Sequence, residues 1–160
     1  MAETPEPARQ RFPVDGAVGA YEPETHPDYA EVVAFFGHLA YNVEPLRPVL
    51  ARHLLDSEGE LLPHLLMSDV TDWLLRTAAH GSTLRGNEAL RTLEHGYVAG
   101  SEGLRSVMVA SFLEQLPGFA GQTADPAGVG ASVRSRLGPT MKNVLATIEQ
   151  WREADGPSKG

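Results

Sequence analysis

From about Thr25 onwards, apolar residues recur at the spacing of an α-helix, and this period constrains the fold more than any other feature of the chain. The last apolar segment shows it most clearly, with members at i, i+3, i+4, i+7 and i+10: Met141, Val144, Leu145, Ile148 and Trp151. No stretch alternates apolar and polar residues over several positions, as a half-buried strand would. The sequence therefore predicts an all-α, single-domain bundle of about six helices.

Prolines and capping residues predict where these helices begin. Pro45, Pro63 and Pro139 suit first turns, whereas Asn87 and Ser101 suit N-cap positions. The six helices are expected at about residues 25–41, 45–56, 63–79, 87–99, 102–116 and 139–153, with either Thr25 or Asp28 as the cap of the first. Their predicted buried residues are Tyr29, Val32, Val33, Phe36 and Leu39; Leu46, Val49, Leu50 and Leu54; Leu66, Val70, Trp73, Leu74 and Thr77; and Leu90, Leu93 and Tyr97.

The helix predicted near 102–116 is expected to be the central one. Its apolar residues spread around most of its circumference: Val107, Met108, Val109, Phe112, Leu113 and Leu116. The segment that follows, 117–130, holds four glycines and two prolines, and we expect a loop without a core of its own.

Composition divides the chain into a leader at 1–23, a helical domain at 24–153 and a flexible tail at 154–160. The leader contains four prolines and two glycines among scattered charges, so we expect it to be mobile. No apolar run approaches the length that spans a bilayer, and the N-terminus lacks the apolar segment of a signal peptide. The sequence therefore predicts a cytoplasmic protein without contact to a membrane.

The negative charge is concentrated in one stretch. Residues 22–72 hold ten acids against only Arg47 and Arg52, so this stretch alone accounts for the chain's net charge of −8. Such an excess argues against direct nucleic-acid binding, which needs a basic face, and favours a basic protein partner.

Five of these acids converge on one turn and on the exposed side of the next predicted helix. They are Asp56, Glu58, Glu60, Asp69 and Asp72, and we predict that they bind the partner. Asp69 and Asp72 share a helix face because they are three residues apart. A face that is merely solvated is the competing interpretation. Trp73 would be an anchor only if it is exposed, and the spacing predicts that both Trp73 and Trp151 belong to the core.

Motifs of catalysis and metal binding are missing from the sequence. There is no cysteine, none of the six histidines stands three or four residues from another, and no GxSxG elbow or phosphate-binding loop is present. His64 and Asp69 are five residues apart, which points their side chains away from each other on a helix. We therefore expect no catalytic residue, no metal ligand and no cofactor.

Three segments carry a resemblance to a known group: 59–70 (GELLPHLLMSDV), 107–116 (VMVASFLEQL) and 137–139 (LGP). In this order they resemble poorly characterised small helical bacterial proteins that look like immunity proteins of polymorphic-toxin or contact-dependent inhibition systems. The resemblance covers roughly residues 30–150. It implies a protein without chemistry of its own that neutralises a cognate toxin by binding it.

The expected function is thus an immunity-like protein that covers a basic toxin, such as a nuclease, with its acidic surface. One alternative is a small metal-dependent helical enzyme that uses histidines and carboxylates of residues 53–72. Another is a helical adaptor whose partner is not a toxin, because both binding functions need only a complementary surface.

Overall fold

The computed structural model describes residues 27–121 and 123–156, and it confirms the all-α single domain. Within this part of the chain there are seven α-helices: α1 Tyr29–Asn42, α2 Arg47–Asp56, α3 Pro63–Ala79, α4 Leu84–Ala99, α5 Glu102–Ser111, α6 Val129–Ser135 and α7 Pro139–Ala154. Single 3-10 turns lie at Glu44–Leu46, Leu113–Gln115 and Phe119–Gly121. None of the described helices is both long and apolar enough to cross a membrane.

Two helices share the centre of the bundle. α3 contacts α2, α4, α5 and α6, while α5 contacts α1, α3 and α4. The central helix predicted over 102–116 consists of α5 and the 3-10 turn after it, because the helix ends at Phe112 (φ −124°, ψ −68°). Met108, Phe112 and Leu113 are fully buried on either side of that break. The break lets the chain change direction without leaving the core.

Three helices begin against carboxylates, and for α5 and α7 these carboxylates come from distant parts of the chain. Glu31 accepts hydrogen bonds from the backbone N–H and the hydroxyl of Ser101 at the start of α5, while Asp28 accepts one from the N–H of Gly103. Glu94 caps α7, and Asp125 caps α6. A negative group is stabilising at a helix N-terminus, where backbone N–H groups lack helical partners. These carboxylates therefore stabilise the starts of α5, α6 and α7.

Three of the predicted helix starts are confirmed. α3 and α7 begin at Pro63 and Pro139, and the Ser101 side chain accepts a hydrogen bond from the N–H of Leu104. The prediction for Asn87 is wrong: α4 begins at Leu84, and the Asn87 amide oxygen accepts a hydrogen bond from Arg136 instead. The long side chain of Arg136, which directly follows α6, uses the amide group that the sequence assigned to a cap.

Two predictions of burial are also wrong. Trp151 is 65% exposed because the side of α7 that faces the bundle carries Met141, Leu145 and Arg152 instead. The Arg152 guanidinium lies over the Phe119 ring and pairs with Glu114. Val33 lies at the surface of α1, where Phe35 is buried in its place. The predicted loop at 117–130 contributes Phe119 to the main core.

The predicted leader at 1–23 lies outside the described residues, as does most of the predicted tail. The described helical part runs to Ala154.

Candidate protein-binding surface

The turn between α2 and α3 brings the predicted acidic residues onto neighbouring elements. Asp56 is the last residue of α2, Glu58 and Gly59 form the turn in left-handed backbone conformations (φ 54° and 88°), and Asp69 and Asp72 lie on α3. The N–H of Gly59 closes the turn on the carbonyl oxygen of Leu54 at 2.7 Å. Four of the five predicted acids are exposed.

Glu60 differs from the other four acids. Its side chain is half-buried, and its Oε1 is buried without a hydrogen-bond partner among the described residues. Glu60 is therefore less accessible than the other four acids, and its contact with a partner stays a prediction.

His53 joins α2 to α3 beneath these acids. Its ring is 4% exposed, and its Nε2 accepts a hydrogen bond from the N–H of Leu62 at 2.9 Å, directly before α3 begins. A backbone N–H can only donate, so Nε2 carries the lone pair and the neutral ring holds its proton on Nδ1. That Nδ1 lies 3.8 Å from Oδ2 of Asp69. No local pattern in the sequence predicts this contact, since the two residues stand on different helices.

The pKa of His53 is lowered from its ordinary value of 6.5, chiefly because burial disfavours the charged ring. Asp69 and Asp56 act in the opposite direction, which shows that both carboxylates lie close enough to the ring to influence it. Burial outweighs their attraction, so His53 is neutral at pH 7 and forms no ion pair with Asp69. The His53 ring therefore adds no positive charge beneath the acidic residues.

One stripe of α3 combines charge with an apolar side chain. Leu65, Asp69 and Asp72 stand at i, i+4 and i+7, so their side chains lie on the same face of the helix. Leu65 is 57% exposed and the side chain of Asp69 is 51% exposed. We define the acidic surface as Asp56, Glu58, Leu65, Asp69 and Asp72. Leu65 was missed at the sequence level, although its helical spacing from Asp69 and Asp72 could have revealed it.

Basic residues do little to neutralise the acidic surface. Arg52 pairs with Asp56 at 3.3 Å, but both side chains are mostly exposed, and such i, i+4 pairs contribute only about 0.3–0.5 kcal/mol. Trp73 is half-buried and packs against the core, so it does not serve as the anchor considered from the sequence. The exposed apolar side chain on the α3 stripe is Leu65.

The histidines and carboxylates of residues 53–72 do not assemble a metal centre in the described part of the chain, where no group of three or more potential ligands comes together. His64 and Asp69 diverge as predicted, since His64 Nδ1 lies 2.8 Å from the hydroxyl oxygen of Ser111. Ser111 is buried, and its carbonyl oxygen accepts a hydrogen bond from Thr71. This Ser–His contact therefore ties α3 to α5 and differs from a nucleophile poised towards a substrate.

Comparisons of this chain with protein-family models, with curated proteins and with solved structures give no match.

Proposed function

We propose that this chain is a cytoplasmic, non-enzymatic, immunity-like protein that neutralises a basic toxin by covering it with the acidic surface. The observation that carries the proposal is the exposed stripe of Leu65, Asp69 and Asp72 on α3, next to Asp56 and Glu58 at the end of α2. A nuclease is the class of toxin that fits best, because its substrate-binding surface is basic.

Charge and shape would contribute differently to such a complex. The exposed carboxylates attract a basic partner over several ångströms and raise the association rate, an effect that weakens as salt is added. Leu65 offers the apolar contact that excludes water at the centre of the interface. The neutral His53 beneath them fixes the positions of α2 and α3, so the surface is organised before the partner arrives.

Calorimetry with a basic protein encoded beside this chain in its genome tests the proposal. The double variant Asp69→Lys and Asp72→Lys should weaken binding at least about a hundredfold, because like charges then oppose each other in the interface. Glu153→Lys with Asp155→Lys is the matched control, since it changes the net charge equally at exposed positions at the end of α7.

Leu65→Ser separates the apolar contribution from the charge. We expect at least about a tenfold loss of affinity, with Val98→Ser on α4 as the control at a similarly exposed apolar residue. Equal affinities for wild type and the α3 double variant would refute the proposal. A partner that binds through the acidic surface but has no toxic activity would instead identify the chain as an adaptor.

A further inference from the structure

A second surface has the opposite chemical character. A depression of about 480 Å³ lies between α4 and the start of α7, and Arg91 and Arg136 are both among its lining residues. His95 also lines it, and among the described residues Glu94 is the only acid in its lining. Two guanidinium groups in one concavity stand out in a chain whose net charge is −8.

Arg136 is held in place by the fold. Its Nη1 donates a hydrogen bond to the Asn87 side chain at 2.8 Å, and its Nε donates one to the carbonyl oxygen of Ser132 at 3.3 Å. These two contacts fix the plane of the guanidinium and leave donors on Nη2 and Nη1 for a ligand. A preorganised fork of this kind suits the two oxygens of a phosphate or carboxylate group.

Arg91 faces the same depression without a protein partner. It is exposed, and no hydrogen bond or ion pair engages its side chain within the described residues. The nearest lining acid, Glu94, is buried, and both of its oxygens accept backbone N–H groups at the start of α7. Because those N–H groups offset its charge, Glu94 leaves Arg91 available to an incoming anion.

The depression continues along α4 into a second one of about 320 Å³, which shares Arg91 and His95 with the first. Its other lining residues include Phe35 and Gly96, and the edge of the Phe35 ring packs over Gly96, where a Cβ would overlap it. Each depression has the volume of a small-molecule site, and the second is lined by His38, Asn42 and Thr92 as well as by the Phe35 ring.

We propose that this α4 groove binds a small molecule through an oxyanion, either a phosphate or a carboxylate, recognised by Arg91 and Arg136. This groove and the acidic surface consist of different residues, so the proposed toxin binding does not depend on whether the groove binds an oxyanion.

Nuclear magnetic resonance of the full chain tests this site with inorganic phosphate as the probe. Phosphate should cause saturable shifts of backbone amides at residues 87–95, 136–138 and 140–141 when sodium chloride keeps the ionic strength constant. Acetate in a parallel titration distinguishes the sources: saturation by phosphate alone assigns a phosphorylated ligand, and saturation by acetate alone assigns a carboxylic acid.

Arg91→Gln is the decisive variant because the exposed, unbonded side chain can be replaced without disturbing the fold. It should weaken phosphate or acetate binding about tenfold or more, as expected for lost charge-assisted hydrogen bonds. Arg76→Gln removes the same charge from an exposed position on α3 and should leave the affinity unchanged. Shifts that never saturate with either anion, or equal affinities for the two variants, would overturn the proposal.

Discussion

A side chain at position 138 is predicted to destabilise the protein because of Glu94, and substitutions at the two positions should be energetically coupled. Glu94 is 8% exposed, and its two oxygens accept hydrogen bonds from the N–H groups of Thr140 (2.6 Å) and Met141 (3.1 Å). A Cβ on Gly138 would overlap the Glu94 carboxylate. The backbone of Gly138 (φ −69°, ψ 168°) suits any residue, so the close approach is the reason for glycine here.

The magnitudes follow from these contacts. Glu94→Ala removes two hydrogen bonds to a charged group, each contributing about 1.5–3 kcal/mol, and it relieves the cost of burying the carboxylate. We expect a net loss of about 2–4 kcal/mol in the free energy of unfolding. Gly138→Ala should cost about 2 kcal/mol in wild type, because Glu94 must leave its cap, but about 0.5 kcal/mol or less once Glu94 is alanine.

Urea unfolding followed by circular dichroism at 222 nm measures this double-mutant cycle. The coupling free energy between the two substitutions should be at least about 1.5 kcal/mol. If the two costs simply add, Gly138 is not held by its contact with Glu94, and the argument about the start of α7 is refuted.

Three further outcomes are expected. Gly130→Ala should destabilise the protein by at least about 2 kcal/mol in urea unfolding, since the new Cβ would overlap the Pro117 carbonyl. Gly37→Ala, where a Cβ meets open space, should stabilise the protein by about 0.5–1 kcal/mol, and equal effects of the two substitutions would contradict this reasoning. Trp151→Ser should change stability by about 0.5 kcal/mol or less, against about 2–5 kcal/mol for Met141→Ala; a large loss at Trp151 would place it in a core. The pKa of His53 lies below 6.5 in the folded protein, so the unfolded chain binds the proton first, and the stability that neutral His53 contributes above pH 6.5 is lost as the pH falls below that value. Titration of the ring-proton resonances should show that Asp69→Asn lowers the pKa of His53 further. An unchanged or higher pKa would refute the role of Asp69.

Local signals predicted most of the helices because their causes are local. Pro63 and Pro139 fix φ at first turns, and the Ser101 hydroxyl reaches an N–H three residues away, so neighbouring sequence suffices to place these helix starts. The failures involve partners far along the chain. The Asn87 amide binds Arg136 across 49 residues, and Trp151 is exposed because its neighbour Arg152 makes the contacts with Phe119 and Glu114.

The candidate site shows the same division. Charge counting located Asp56, Asp69 and Asp72 from the sequence, because surface charge needs no tertiary contact to be recognised. The buried His53 between them, and the inward turn of Glu60, depend on how α2 packs against α3. Neither could be inferred from residue types alone.

The central claim is that the acidic surface contacts the partner, and labelling of carboxylates measures this most directly. The protein, alone and with the basic neighbouring gene product, is treated with a carbodiimide and an amine, and the modified residues are quantified by mass spectrometry. We predict that labelling of Asp69 and Asp72 falls strongly in the complex, while Glu153 at the exposed end of α7 is labelled as before. A complex in which Asp69 and Asp72 are labelled as readily as in the free protein would contradict the claim.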